Sequence, residues 1–393
     1  MSRLERVAVV AAGVTTPIGQ DLDAFWSSLI TGASGISTIE RFPVADLRVG
    51  RGGEIKKLTR IKRWDRVPDC RATRLLVSAA DELIAQAPLG PAVVEPARLA
   101  VVVGTALGGV EEGERALAGE GPRRRLRGAL YDSPGDNLAR WLGARGPALT
   151  VSTACASGAT ALGIGADMLR QGQADLVVAG GYDILCRFVM RGFDALRSLT
   201  RDEVRPFDKR RSGLLLGEAA ALVLLAREAD AGRAPLGYLR GHASTGDGSH
   251  ISAPDPDGRG LEHAARLALA EAGVGPEDVD FVSAHGTATP LNDRIETAVL
   301  KRVLGPRAPS VPVNSIKATM GHTMGAAATL EAIMCLLAGR HGQIPPTRHL
   351  EVPDPECDLD YVPGTARAFR PRLSLSTSLG FGGCNGALVL ESA

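Results

Sequence analysis

Residues 150–165 read Thr150-Val-Ser-Thr-Ala-Cys155-Ala-Ser-Gly158-Ala-Thr-Ala-Leu-Gly-Ile-Gly165. An apolar strand, Leu149–Thr153, passes directly into a helix of small residues, Gly158–Gln171, with a cysteine at the junction. A second stretch, Asn314-Ser-Ile-Lys317-Ala-Thr-Met-Gly321-His322-Thr-Met-Gly325, has the same order and continues as a helix over Met324–Gly339. Val151–Gln171 and Val313–Gly339 therefore read as two copies of one strand–turn–helix unit. Gly13-Val-Thr-Thr-Pro-Ile-Gly-Gln-Asp21 and Gly286-Thr-Ala-Thr-Pro-Leu-Asn-Asp293 form a further pair, each following a strand and preceding a helix. The two pairs differ in offset, which predicts fusion-type duplication with insertions and not a short-period solenoid.

Working outward, short apolar runs alternate with Ala/Leu-rich stretches. Strands are predicted at Val7–Val14, Leu99–Gly104, Leu176–Gly180, Ala219–Leu225, Phe281–Ala284, Ser310–Asn314, Leu373–Ser378 and Ala387–Glu391. Several are apolar throughout, as a sheet covered on both faces requires. Helices are predicted at Asp21–Thr31, Arg71–Gln86, Asp136–Leu142, Gly260–Ala272 and Asp293–Leu304. The pattern restarts at Tyr238, dividing the chain into halves 1–237 and 238–393 of one α/β architecture.

Composition bounds the function. The 393 residues hold 45 Lys+Arg against 44 Asp+Glu, a net charge of +1 that argues against a dedicated nucleic-acid protein. Hydrophobic residues at 45% and charged residues at 23% fit a globular chain and exclude a disordered one. Six scattered cysteines form no C-x-x-C pair, so neither structural zinc nor a disulfide scaffold is expected. The apolar run from Val7 to Val14 is short for a signal sequence, and no run approaches the ~18 residues of a membrane span. A cytoplasmic protein without a membrane partner is the expectation. Glycine, at 47 residues, is well above the usual ~7% and must serve turns and close packing.

Four segments carry chemistry. A cysteine in the first turn of a helix sits where the macrodipole and free N–H groups favour thiolate, so Cys155 is the candidate nucleophile and the other five cysteines are structural. Ser283-Ala-His285-Gly-Thr-Ala-Thr-Pro290 places an imidazole at the mouth of an apolar strand. His322 occupies the corresponding switch in the third segment, close to Lys317, one of six lysines beside thirty-nine arginines. His242, His263, His341 and His349 are left as structural residues. Ser376-Thr-Ser-Leu-Gly380-Phe381-Gly-Gly-Cys384-Asn-Gly386 has no lysine of a phosphate-binding loop. It reads as a mobile pocket wall carrying Phe381, with backbone N–H groups directed at a ligand.

Taken together, VAVVAAGVTTPIG, STACASGA, RPFDKRRSGLLLGEAAALVLL, AHGTATPLND, NSIKATMGHTMGAAATLEAI and SLGFGGCNGALVL resemble the elongating β-ketoacyl-acyl-carrier-protein synthases of the thiolase-fold superfamily, from end to end. The resemblance implies a thiolase-like duplicated five-layer α/β/α/β/α fold and a Cys-His-His centre. It implies decarboxylative condensation of a Cys155-bound acyl thioester with malonyl carried on acyl carrier protein, in fatty-acid or specialised polyketide or polyene biosynthesis. His285 and His322 would hold the enolate, Lys317 and Glu331 would support them, and Phe381 would gate the site and share an oxyanion hole with Cys155. No cofactor and no metal are implied. The implied partners are acyl carrier protein and a second copy of the chain, or a related subunit in a heterodimer.

The chain departs from the family pattern in a short segment between Leu199 and Arg205, in Cys384 for threonine, and in Asn292 for glycine. Two rival readings are a non-catalytic chain-length-factor-like partner subunit and a degradative thiolase. The first lacks the nucleophilic cysteine, and the second needs another catalytic cysteine late in the chain. Basic clusters at 51–74, including Lys56, Lys57, Arg60, Lys62, Arg63 and Arg66, and at Arg123-Arg-Arg-Leu-Arg127 suit an acidic carrier protein. Pocket depth is expected to involve Leu107 and Phe193.

Overall fold

The computed structural model describes residues 5–59, 61, 64, 67–90, 93–120 and 122–393. Its frame is ten strands. The first half supplies β1 (Val7–Thr15), β2 (Leu99–Gly104), β3 (Ala148–Val151), β4 (Leu176–Asp183) and β5 (Ala219–Arg227). The second supplies β6 (Gly237–Gly246), β7 (Phe281–Ser283), β8 (Val313–Asn314), β9 (Leu373–Gly380) and β10 (Cys384–Ser392). Across the sheet they run β8-β7-β9-β10-β6-β1-β5-β4-β2-β3. Outward from the β6–β1 junction, both directions give the same succession, each strand of the second half matching the one five earlier. Orientations match as well: β2 is parallel to β3 and β4, β7 is parallel to β8 and β9, and the other pairs within each half are antiparallel. The halves meet where Val7 and Val9 pair antiparallel with Leu239 and Gly237.

Six helices complete the layers: α1 (Arg71–Gln86), α2 (Ser133–Leu142), α3 (Ser157–Arg170), α4 (Arg259–Ala272), α5 (Pro290–Leu304) and α6 (Ala327–His341). Side-chain alternation on the strands shows why the predicted strands are apolar throughout. On β5, Ala219, Ala221, Val223 and Leu225 face the middle layer with α3 and α6, while Ala220, Leu222, Leu224 and Ala226 face α1 and α2. A register shift between Val9 and Ala11 of β1 turns Val10 and Ala11 to the same outer face. In the second half, α4 and α5 cover Val282, Leu375 and Val389. The result is the five-layered α/β/α/β/α stack. In α6, residues 327–339 are all buried, so this helix is enclosed around its whole circumference, apolar except for Thr329 and Glu331.

The topology sorts the two predicted repeats. β3–α3 and β8–α6 occupy equivalent positions, so Val151–Gln171 does match Val313–Gly339. Gly13–Asp21 does not match Gly286–Asp293: the former follows β1, the latter follows β7, and β7 corresponds to β2. Their likeness is that of two strand-to-helix turns needing the same Thr-Pro chemistry.

The predicted strand Ser310–Asn314 shrinks to Val313–Asn314, because Pro306 and Pro309 shape a 3-10 turn over Gly305–Ser310. Helices Val110–Leu117 and Arg187–Ala195 and strand β6 were not predicted; all three present polar residues to solvent and lack a long apolar run. Among the described residues, no helix is long and apolar enough to cross a membrane.

Candidate active site

The Cys155 elbow is built by β3, a 3-10 turn at Ala154–Ala156, and α3. Ala154 adopts φ 50°, a left-handed conformation uncommon for a residue with a Cβ. The turn is held by Ser157, whose hydroxyl accepts the Thr153 N–H at 2.9 Å and bonds the Ala154 carbonyl at 2.6 Å. The hairpin turn between β9 and β10 presses on this elbow. A Cβ on Gly380 would lie 3.0 Å from the Thr153 oxygen and 3.1 Å from the Cys155 nitrogen, so only glycine lets the strands approach. The next residue, Phe381, brings its backbone N–H near the Cys155 sulfur, where it favours the thiolate. Its ring packs on Phe193, with centroids 5.4 Å apart.

His285 lies two residues beyond β7. Glu296 on α5 fixes its backbone, accepting the N–H groups of His285 (2.7 Å) and Gly286 (2.8 Å) and the Thr377 hydroxyl (2.7 Å). His322 is pinned from the first half: its N–H donates to the Leu215 carbonyl at 2.7 Å and its carbonyl accepts the Gly217 N–H at 2.9 Å. The two imidazoles meet edge to face with centroids 5.3 Å apart. Neither nitrogen of His322, nor Nδ1 of His285, has a protein partner. Behind them the Lys317 ammonium forms a buried ion pair with Glu331 of α6.

Cys155, His285, His322, Gly380 and Phe381 line one cavity of about 410 Å³, with Phe193, Thr287, Thr289 and Asn292 further along it. Lys317, Glu331 and Leu107 are not among its lining residues. Leu107 instead packs against a cluster holding Leu185 and Met190.

Electrostatics corrects one expectation. Burial pushes the Cys155 thiol up to about 12, although Lys317 and the Phe381 N–H pull the other way. At this elbow desolvation outweighs the Lys317 charge and the Phe381 N–H, so the thiol is favoured over the thiolate. Burial, reinforced by the Lys317 charge, drives both imidazoles well below 6.5, so both are neutral. Burial raises Glu331 to about 7 against the pull of Lys317.

Glu296, Asp293 and Asp183 were not read from the sequence as site residues. Asp293 accepts the Phe207 N–H (2.8 Å) and the Ala288 N–H (3.1 Å), tying the turn after His285 to the first half. A signal was available. Asp293 and Glu296 sit at helical spacing among buried Ile295, Val299 and Leu300, and an acid on an apolar helix face requires partners. Phe381 does line the cavity wall, but on a tight 3-10 turn between paired strands and not on a long loop.

The structural histidines behave as such: His341 stacks on Trp26, and His349 bonds the Val204 carbonyl. His242 contacts Asp167 and Glu271, both of which also pair with Arg170. Among the described residues of the basic clusters, most are paired. Lys56 meets Glu54, Arg71 meets Glu218, Arg74 meets Asp69, and Arg125 meets Glu112. Arg60, Lys62, Arg63 and Arg66, and the side chains of Arg123 and Arg124, lie outside the described residues.

Residues 4–231 match the family model "Beta-ketoacyl synthase, N-terminal domain", and residues 236–351 match its C-terminal domain. The tetracenomycin polyketide synthase ketoacyl synthase alpha subunit of Streptomyces glaucescens is 38% identical over 98% of this chain and 97% of its own. The 3-oxoacyl-[acyl-carrier-protein] synthase 2 of Synechocystis is 36% identical over 100% and 99%. Among solved structures, the ishigamide ketosynthase/chain length factor matches with TM-score 0.91 and 34% identity over 99% and 100%. A chain of the AntDE:AntF assembly, a type II acyl-carrier protein in complex with its ketosynthase bound to the hexaketide, matches with TM-score 0.92 and 28% identity over the full length of both.

Proposed function

The chain belongs to the β-ketoacyl synthase family, and from that premise we propose how its residues divide the reaction. It is a 3-oxoacyl-acyl-carrier-protein synthase, an acyltransferase that joins an enzyme-bound acyl group to a malonyl thioester with loss of carbon dioxide. The observation supporting the assignment of roles is the single cavity shared by Cys155, His285, His322 and Phe381.

In the first half-reaction, the Cys155 sulfur attacks the acyl thioester carbonyl. The oxyanion that develops is met by the N–H groups of Cys155 and Phe381, whose strength grows with its charge. The carrier thiol leaves with the proton that Cys155 gives up, so the thiol needs no prior ionisation. In the second, the malonyl thioester oxygen lies between His285 and His322. As the carboxylate departs as carbon dioxide, its electron pair becomes the enolate, stabilised by two neutral N–H donors. The enolate carbon attacks the acyl carbonyl and expels Cys155, which regains a proton. Lys317 acts behind the imidazoles, its charge helping to keep them neutral, and Glu331 holds Lys317 in place.

Acyl carrier protein is the proposed donor of both thioesters, by likeness to the AntDE:AntF complex. The units 1–237 and 238–393 are proposed as the duplicated halves. A dimer is proposed across β3, with a second copy or a related subunit in a cytoplasmic setting. This edge strand leaves Leu149 41% exposed, whereas β8 at the opposite edge is buried and bonded to Asp360. Cys155, both histidines and Lys317 are all present, which disfavours a non-catalytic partner subunit.

The test is incubation with an acyl-carrier thioester followed by intact mass. The wild-type chain gains one acyl group, and Cys155→Ala gains none. Equal labelling of the variant would overturn the nucleophile.

A further inference from the structure

The duplication contains a second elbow. Met324–Ala326 forms a 3-10 turn leading into α6 just as Ala154–Ala156 leads into α3, and Met324 has the φ of 50° found at Ala154. The correspondence sets Gly325 against Cys155 and Ala327 against Ser157. The first elbow is fastened by the Ser157 hydroxyl. Alanine at 327 has no such group, so the second elbow must be fastened otherwise.

Asp183, at the end of β4, does this. It is fully buried, and its Oδ2 accepts the Gly325 N–H at 2.7 Å and the Ala106 N–H at 2.8 Å. Its Oδ1 accepts the Thr105 hydroxyl at 2.8 Å and the Leu107 N–H at 3.1 Å. Four donors and no acceptor define a carboxylate. A Cβ on Gly325 would fall 2.8 Å from Oδ2, so the glycine makes room for the acid. Asp183 ends β4 as Gly380 ends β9. In the catalytic half the strand end opens to Cys155, and in the other half an acid closes the equivalent space.

We propose that Asp183 is a positioning residue for the condensation half-reaction: it fills the duplicate elbow and holds the turn that begins two residues after His322. The inference rests on the roles assigned above. His322 is held on one side by Leu215 and Gly217, and on the other by the turn that Asp183 anchors. The Cys155 elbow keeps its own Ser157 fastening, so Asp183 does not hold that turn and reaches the thiol through its charge, which hinders ionisation.

The experiment measures two rates separately on the full chain: acylation by intact mass, and carbon dioxide release from malonyl-carrier protein. Asp183→Asn keeps an oxygen for Gly325 and Ala106, while its amide nitrogen faces the Leu107 N–H and a Thr105 hydroxyl that already accepts the Leu107 and Gly108 N–H groups. Asp183→Ala removes the anchor. The expected result is decarboxylation lowered about 10- to 100-fold in Asp183→Ala, acylation not lowered, and decarboxylation partly restored in Asp183→Asn. Thr105→Val, which removes one donor, should show a smaller loss of the same kind.

A second readout is the pH dependence of Cys155 alkylation. The Asp183 charge raises the thiol, so Asp183→Asn should shift the profile to lower pH, which a packing role alone would not do. Equal loss of both half-reactions in Asp183→Ala, or an Asn variant as impaired as Ala, overturns the proposal. If Asp183→Ala fails to fold, Thr105→Val and Asp183→Asn decide it, and wild-type decarboxylation in Thr105→Val with an unmoved alkylation profile in Asp183→Asn counts against it. Labelling of Cys155→Ala would instead overturn the underlying assignment.

Discussion

Replacing Glu296 tests how the fold holds His285, because its carboxylate joins the His285–Gly286 backbone to α5. Oε1 accepts the His285 N–H and the Thr377 hydroxyl, and Oε2 accepts the Gly286 N–H, all within 2.8 Å. In Glu296→Gln, the amide oxygen placed at Oε1 keeps two of the three bonds. The amide nitrogen then faces the Gly286 N–H, leaving one buried donor unpaired at a cost of about 1–3 kcal/mol. The opposite flip would lose two bonds, so this orientation is preferred. Glu296→Ala strands all three donors, about 3–9 kcal/mol on the same scale, a large share of the ~5–15 kcal/mol that holds a domain folded. Gln is therefore the informative variant. Urea denaturation should show a lower midpoint at an unchanged slope. Carbon dioxide release should fall with the displaced imidazole, while Cys155 acylation continues, since Glu296 does not touch that elbow. A stability loss below about 0.5 kcal/mol together with wild-type decarboxylation would refute the reasoning, because an unpaired buried N–H is incompatible with so small a loss.

Three other outcomes follow from the same site. Iodoacetamide should label Cys155 slowly near neutrality and faster at each higher pH with no plateau below about 11, since burial holds the thiol near 12; a plateau near neutrality would mean a resting thiolate. Decarboxylation should stay level as pH falls from about 8 to 6.5 and decline only below that, because both imidazoles lose their neutral form only beneath the ordinary histidine range; a midpoint at or above 6.5 would contradict neutral donors. Replacing the buried pair together, Lys317→Met with Glu331→Leu, should leave stability within about 1–4 kcal/mol of wild type while moving that acid limb to higher pH, since the charge that depresses the imidazoles is gone; an unmoved limb would remove Lys317 from the role.

The parts of this molecule legible in sequence were those where one local rule decides. A strand entering a helix with no spacer located the Cys155 elbow, and apolar runs without alternation announced strands covered on both faces. Strand β6 escaped because Arg240, His242 and Ser244 interrupt its apolar residues. The match of Gly13–Asp21 to Gly286–Asp293 misled because similar turns satisfy similar backbone geometry at unrelated positions in the sheet. Thiol acidity was misjudged for a different reason. Helix position is local and can be read from spacing, whereas desolvation depends on the β9–β10 hairpin, more than two hundred residues later in the chain.

The same desolvation explains why a duplicated fold holds one reaction centre. The two elbows have diverged in a coordinated way: cysteine against Gly325, Ser157 against Ala327, the open Gly380–Phe381 turn against Asp183. The connection from β8 to α6 also carries Lys317 and His322, which the connection from β3 to α3 lacks. The consequence is electrostatic. Lys317 is paired with Glu331, the imidazoles are neutral, and Cys155 is a thiol, so the buried end of the cavity offers its ligand no free charge, and Arg197 is a charged side chain of the wider lining. Cys155, His285 and His322 are 6%, 3% and 1% exposed, so little water remains to solvate an arriving carboxylate. A malonyl carboxylate in that space has lost hydration without gaining an ion pair, and decarboxylation relieves this by moving its charge onto an oxygen faced by two N–H donors. A cation placed beside the two imidazoles would bind the malonyl group more tightly and slow it, because it would stabilise the carboxylate that must be lost. Lys317 behind the histidines, and not beside the substrate, is the arrangement this chemistry requires.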